Sequence, residues 1–356
     1  MSILSYVKKN NFLISKRDFQ CDYSIHPKAL LDMSLSGAFF KERAIPKDLL
    51  NVRLDQYPPF DDEKELRFKI SQKYKVPLSC IVLGNGANGI FQNLMKIFFK
   101  ERGNLVTPFL SFSQPEYCVT SLGSYTKRVF MTKEFKIDFD SLKNSIDKKT
   151  KAVFICNPNN PTGLYENPKK IIQFAESIRI PVIVSEASID FSEKDSLLNF
   201  SLPKNLIIVR SFSKTYGLAG IRLGYAIMDK EYCLLYRKSI PQFEISTISL
   251  ILGNKYFQDS DVKKNINKTI QERKFLEVNL KRIGISVFES SSNILMSQQI
   301  YTTSFFQTLI KNGICVVPVM NQLGKFHFRV AVQKHEKNVL FIKKIEEIIK
   351  RNIINE

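Results

Sequence analysis

Lys214 sits in SFSKTYGLAGIRLGY, residues 211–225, directly after the apolar run Leu206 to Arg210, which reads as a strand. A lysine at a strand end can form a Schiff base with an aldehyde. The hydroxyls of Ser211 and Ser213 and the guanidinium of Arg222 are the donors a phosphate needs. A second segment, NPNNPTG at Asn157 to Gly163, follows the strand pattern Lys151 to Cys156, and its prolines and asparagines build a rigid turn that aims Asn160 out of the sheet edge. A third, GNGANG, precedes a helical pattern. It places the backbone N–H groups of Ala87 and Asn88 at a helix N-terminus, a ready anion site. Alone this hexapeptide is weak, because a bland turn and cap explains it more often and it is not the full G-x-G-x-x-G fingerprint.

The elements that must hold these groups alternate between strand and helix patterns, which points to an α/β domain rather than a sandwich. Strand candidates are Ile81 to Leu83, Leu105 to Thr107, Ala152 to Cys156, Val182 to Ser185, Leu206 to Arg210 and Leu223 to Met228. Ile90 to Phe99 carries a helical apolar stripe. Pro168 to Ile178 is an amphipathic helix ahead of the buried-looking run PVIV, so a β-α-β unit with parallel strands is the economical reading. After about Leu250 the pattern changes to long basic helices, roughly Val262 to Arg282, Thr303 to Lys311 and Asn338 to Asn352, separated by short strands. That change reads as a second, smaller α+β domain. In FHFRVAV, strand alternation puts Phe326, Phe328, Val330 and Val332 on one face and leaves Arg329 on the other.

The chain has 356 residues, enough for one large or two medium domains with a sizeable core, and excludes a peptide hormone or a lone binding motif. Lysine and arginine number 53 against 34 acids, a net charge of +19. The charge is spread over isolated lysine pairs in helical patterns, with no zinc-finger spacing and no aromatic RNA-binding motif, so nucleic acid is not expected as the main partner. The six cysteines form no C-x-x-C pair and only three histidines occur, so neither a disulfide framework nor a metal site is suggested and the expected compartment is the reducing cytoplasm. No apolar run approaches the ~18 residues of a membrane span.

A Schiff-base lysine beside phosphate donors suits pyridoxal phosphate as cofactor. NPNNPTG followed by S-x-S-K-x-x-G-L-x-G-x-R-x-G resembles the fold-type I pyridoxal-phosphate aminotransferases of class I/II, with histidinol-phosphate aminotransferase and threonine-phosphate decarboxylase as the nearest likenesses, from about Asp32 to about Gln333. The resemblance implies an α/β fold: a large domain with a mostly parallel seven-stranded sheet between helices, and a smaller α+β C-terminal domain. The expected boundaries are an N-terminal segment over 1–30, a cofactor-binding domain over 31–248 and a small domain over 249–356. It further implies that Lys214 is the Schiff-base lysine and proton carrier, and that Ser211, Ser213, Arg222 and the backbone of Ala87 and Asn88 hold the cofactor phosphate. Asn160 would contact the ring hydroxyl and Phe112 in LSFSQPEY would stack on the ring. Tyr57 in QYPPFD would reach the phosphate of a neighbouring subunit, which implies a homodimer. Arg329 would clamp a substrate carboxylate.

Departures from the family pattern bear on mechanism. In IVSEASIDF, Ser185 occupies the position of the aspartate that keeps the pyridine nitrogen protonated, and a neutral hydroxyl cannot balance a positive charge. Glu186 should face the other way on a strand, so either a bulge presents it, or the cofactor works with weakened electronics, or the chain is an inactivated variant. Ser188 replaces a tyrosine, DMSLSGAF lacks the N-x-N-P asparagines, Val317 stands where relatives carry arginine, and Glu244 where they carry asparagine or serine.

Three functional readings follow. The first is an aminotransferase moving an amino group from an amino acid donor, with L-glutamate expected, to a small carbonyl acceptor that could carry a phosphate. The second, favoured by the likeness of EASIDF to the decarboxylase's E-A-F-I-D-F, is a decarboxylase of an O-phospho amino acid. The third is a non-catalytic cofactor-binding descendant.

Overall fold

The computed structural model describes residues 31–35, 46, 49, 52, 53 and 55–354, so the expected N-terminal segment over 1–30 lies outside the described residues. The chain enters through a two-residue strand, β1 (Leu31–Asp32), which pairs in parallel with Ile314–Cys315 far along the chain. After α1 (Phe60–Tyr74) come β2 (Ile81–Gly84), α2 (Gly86–Phe98), β3 (Asn104–Pro108), α3 (Gln114–Ser121), β4 (Tyr125–Val129), α4 (Phe139–Asn144), β5 (Thr150–Cys156), α5 (Pro168–Glu176), β6 (Val182–Ser185), β7 (Leu206–Ser211) and β8 (Gly224–Ile227). Seven of the strands make one sheet in the order β2-β8-β7-β6-β5-β3-β4.

Strands β3 to β7 run parallel to their neighbours, as the β-α-β pattern requires. Strand β8 runs against both β2 and β7, the antiparallel part of the expected mostly parallel sheet. The physical reason is the connection. A parallel neighbour needs a crossover, usually a helix, and residues 212–223 hold only a single turn of 3-10 helix, Ala219–Ile221. That loop carries Lys214.

The central strands read as unbroken apolar runs because both faces of the sheet are covered. On one face, Phe154, Cys156, Ile183, Ile207 and Val209 pack against Ile90, Phe91, Leu94 and Met95 of α2. On the other, Val153, Ile155, Val182, Val184 and Ile208 pack against Ile171 and Phe174 of α5. The α5 start is fixed by Asn167, whose side chain accepts the Lys169 N–H, with Pro168 at the first helical position. Strand β4 was not legible in the apolar pattern. It is the sheet edge, and its Lys127 and Arg128 pair with Asp147 and Glu116 instead of entering a core, a charged edge that resists pairing with another chain.

Beyond β8 lie α6 (Lys230–Ser239), α7 (Thr247–Tyr256), α8 (Asp261–Arg282), β9 (Ile294–Met296), α9 (Thr303–Lys311), β10 (Ile314–Cys315), β11 (Val317–Met320), β12 (Phe326–Ala331) and α10 (His335–Ile354). A three-stranded antiparallel sheet, β11-β12-β9, packs on these last helices through Leu276, Leu280, Leu309, Phe328, Val330, Phe341 and Ile345. Gln322 fastens this sheet to the large one by two hydrogen bonds with the Met131 backbone, at 2.8 and 3.0 Å. Arg273 of α8 donates to the Phe191 and Ser292 carbonyls at 2.8 and 3.0 Å, a second tie between the two halves. The alternation in β12 places Phe328, Val330 and Val332 in the core and frees Arg329 to face the large sheet.

Candidate active site

The C-terminal ends of β5, β6 and β7, the start of α2 and the middle of β12 converge, the place where open α/β sheets bind ligands. The first turn of α2 supplies N–H groups with no acceptor inside the helix. Gly86 enters it at φ +69°, and a Cβ there would stand 2.8 Å from Arg222 Nη2. A Cβ on Gly224 would meet the Ala87 nitrogen and the Gly86 carbonyl carbon at 2.7 Å. Both glycines are needed because backbone and guanidinium approach this closely. Arg222, itself at φ 51°, donates through Nη1 to Ser213 Oγ at 3.3 Å and to the Ala219 carbonyl at 2.9 Å. The Ser211 hydroxyl accepts the Ser213 N–H at 3.1 Å. Ala87, Asn88, Ser211, Ser213 and Arg222 thus form one cationic, donor-rich end suited to a phosphate.

Lys214 follows immediately and donates through Nζ to Ser188 Oγ at 2.8 Å. Burial pulls its amine down from 10.5 to about 8, with Arg329 adding to the fall and Cys156 opposing it. Thr215 anchors the next position by donating to Asp190 Oδ2 at 2.7 Å. Asn160 and Arg329 meet from the two sheets: Arg329 donates through Nη1 to Asn160 Oδ1 at 3.2 Å and through Nη2 to the Ser34 carbonyl. Arg329 is 7% exposed and its Nε has no partner. A buried guanidinium edge left unpaired costs energy unless a ligand uses it, and a carboxylate matches its geometry. Val317 stands directly opposite Arg329 in the β11-β12 register, so no second arginine shares this position.

The bulge that could have brought Glu186 to the site is not there. Strand β6 keeps regular register with β5 and β7 through Ser185, and the pleat sends Ser185 and Glu186 to opposite faces. Ser185, 3% exposed, lies beside Cys156 on the α2 side. Glu186 is fully buried on the other side, where its Oε1 accepts the Leu197 N–H at 2.8 Å, its Oε2 accepts the Ser196 hydroxyl at 2.6 Å, and Arg210 Nε stands 3.2 Å away. Asp190 completes this cluster through Arg210 Nη1 at 3.1 Å. Both acids are committed to Arg210.

Phe112 packs on the α2 core, its ring centroid 6.3 Å from that of Phe91, just before α3. Tyr57 is 77% exposed and stacks on Phe243 at 4.6 Å, away from the groups above. Glu244 accepts from Asn93 of α2 at 2.9 Å, which occupies it beside the helix rather than at Lys214. Two participants were not singled out from sequence as site groups. In the sequence Ser188 reads as a replaced tyrosine, yet it accepts from the lysine amine. Cys156 reads as one of six scattered thiols, at a strand end. Its position, last in a strand and one residue before NPNNPTG, was the available signal.

Comparisons with known proteins agree with this arrangement. The profile of the family "Aminotransferase class I and II" matches residues 41–345. Histidinol-phosphate aminotransferase of Methanococcus aeolicus is 30% identical over 353 residues, covering 94% of each chain, and that of Methanococcus maripaludis is 29% identical over 351 residues, again 94% of each. The crystal structure of histidinol-phosphate aminotransferase from Sinorhizobium meliloti, a complex with pyridoxal-5'-phosphate, superposes with a TM-score of 0.84 over 99% of this chain and 98% of that one, at 19% identity. The profile covers most of the chain, including Lys214, Asn160, Arg222 and Arg329, and on that ground the chain belongs to the class I and II aminotransferases.

Proposed function

We propose that this chain is a pyridoxal-phosphate-dependent aminotransferase that takes the amino group of an amino acid donor, L-glutamate in the first instance, and passes it to a small carbonyl acceptor with room for a phosphate. The observation that carries the reading is the placing of Lys214. Its amine, drawn toward neutrality, stands between an anion-binding helix start and a buried guanidinium with an unused edge. The donor set fits the cofactor: Ala87, Asn88, Ser211, Ser213 and Arg222 would hold its phosphate, Lys214 would anchor it covalently, and Asn160 and Phe112 would flank its ring. Bound there, pyridoxal phosphate supplies an electron sink for the bonds at an amino acid's α carbon.

The protein's own groups do the rest. Only a neutral amine is a nucleophile, and burial keeps Lys214 near that state. Once free, Lys214 Nζ can take the α proton and return it elsewhere, with the Ser188 hydroxyl holding the amine in line. Arg329 binds the α-carboxylate by its Nε edge and so orients the α carbon. Tyr57 at 77% exposed and Phe60 at 72%, grouped with Phe243, support a face that packs on a second copy and lends Tyr57 to its site.

The titration of Lys214 gives a direct expectation. Capture of added pyridoxal phosphate by cofactor-free protein, followed as growth of visible absorbance, accelerates with pH and levels off above about 8, not near the ordinary 10.5. The sign follows from linkage. The folded value lies below the unfolded one, so between about 8 and 10.5 the unfolded chain binds more protons and this group's contribution to stability rises with pH. A rate still climbing toward 10.5 would mean that burial does not draw the Lys214 amine down.

The function is tested by product analysis. Loaded protein given L-glutamate and a series of small aldehydes and ketones, with and without phosphate, should form a keto acid in step with the aminated acceptor. Carbon dioxide released from an O-phospho amino acid, with no keto acid from any donor, would establish the decarboxylase instead.

A further inference from the structure

The side chains at the ends of β5 and β6, Cys156 and Ser185, are a thiol and a hydroxyl and supply no carboxylate. Strand alternation puts Ser185 on the same face as Ile183, toward α2, and register sets it directly beside Cys156 of β5. Ser185 and Cys156 are 3% and 7% exposed. The Cys156 thiol donates to the Pro158 carbonyl at 3.3 Å, and the Ser185 hydroxyl stands next to it across the β5-β6 pair. Lys214 is the charged group that acts on the Cys156 thiol, and Arg329 in turn acts on Lys214; both are cations. The two acids nearest in sequence, Glu186 and Asp190, are held by Arg210 on the far side of the sheet. Asp32 acts on Arg329 and accepts from Ser34.

In pyridoxal phosphate the ring nitrogen lies para to the carbon that bears the aldehyde. With that aldehyde at Lys214 Nζ, the nitrogen would point away from the amine, and Ser185, buried beside Cys156 at the ends of β6 and β5, is the hydroxyl that would meet it. A hydroxyl there can donate to a bare nitrogen or accept from a protonated one. Charge decides between the two. A cation against the buried Ser185 and Cys156 would lose hydration, gain no anion from either, and be repelled by any proton on Lys214. We infer that Ser185, seated on Cys156, holds the ring nitrogen of the cofactor as a neutral hydrogen-bond acceptor rather than as a pyridinium cation. This deepens the cofactor assignment and rests on it. The consequence is a weaker electron sink, so that more of the work at the α carbon falls to the Lys214 amine.

The test is the nitrogen resonance of protein loaded with pyridoxal phosphate labelled with nitrogen-15 in the ring, referenced to free cofactor titrated through its own pyridine protonation. The native protein should resonate on the neutral side throughout neutral pH. Ser185→Asp should move the signal to the pyridinium position, and Ser185→Ala, which removes the donor and adds no charge, should shift it slightly toward bare pyridine. A native signal at the pyridinium position overturns the inference and leaves the cofactor assignment standing. So does a neutral signal that neither variant moves, because position 185 then does not face the nitrogen. Protein that retains no cofactor at all, with no visible band, overturns both.

Discussion

Replacing Lys214 by alanine lowers turnover by at least about 10³-fold, the combined loss of a covalent anchor and of a positioned proton carrier. The same variant loses the visible absorbance of the lysine-bound cofactor. It should nonetheless fold normally. The amine is desolvated, repelled by Arg329, and makes one hydrogen bond, to Ser188, so its removal relieves as much as it costs. The checks are a steady-state assay, an absorption spectrum and a melting curve on the same preparation. An unchanged spectrum would remove Lys214 from the chemistry, and a collapsed melting temperature would make it a structural residue. The neighbouring Thr215 to Asp190 bond keeps the loop in place when the lysine is gone.

Glu186→Ala should destabilise the fold by about 3–5 kcal/mol, the largest stability effect expected near the site. The carboxylate is fully buried and accepts from the Ser196 hydroxyl and the Leu197 N–H, and its loss strands both donors and part of Arg210. Burial lifts this carboxyl above its usual range, and the attraction of Arg210 and the two hydrogen bonds recover only part of that cost. Glu186→Gln keeps the shape and one acceptor oxygen and should lose distinctly less. Denaturant unfolding of the two variants measures the difference. A loss within about 0.5 kcal/mol for alanine, the usual surface value, would mean that the Arg210 cluster does not hold β6 and β7 as described.

The sequence exposed the central strands well, because runs such as VFIC, VIVS and LIIV are buried on both faces and carry no competing pattern. Helix α2 begins at Gly86, four residues ahead of the apolar stripe at Ile90, because its first turn is polar and faces the anion site. Strand β4 escaped notice because its neighbours are ion pairs rather than a core. The direction of β8 was hidden in the length of a loop, not in any residue type. Spacing drew attention to Lys214, Asn160 and Arg222, whereas alternation gave only the face of Arg329 and the family resemblance its expected role. Ser188 and Cys156 were not, since a serine and a thiol acquire a role only when the fold sets them against Lys214 and Ser185. The fate of Glu186 was decided by pleat, as alternation predicted, but its partners Ser196 and Arg210 lie ten and 24 residues away and could be named only from the structure.

The central claim is that Lys214 and its surroundings carry out the first half of an amino transfer despite a serine at position 185. The most direct measurement is the absorption spectrum of the loaded protein before and after excess L-glutamate, with no acceptor present. The visible band should give way to the near-ultraviolet band of the aminated cofactor, with one equivalent of keto acid released. A visible band that persists through L-glutamate and every other amino acid donor would contradict the account.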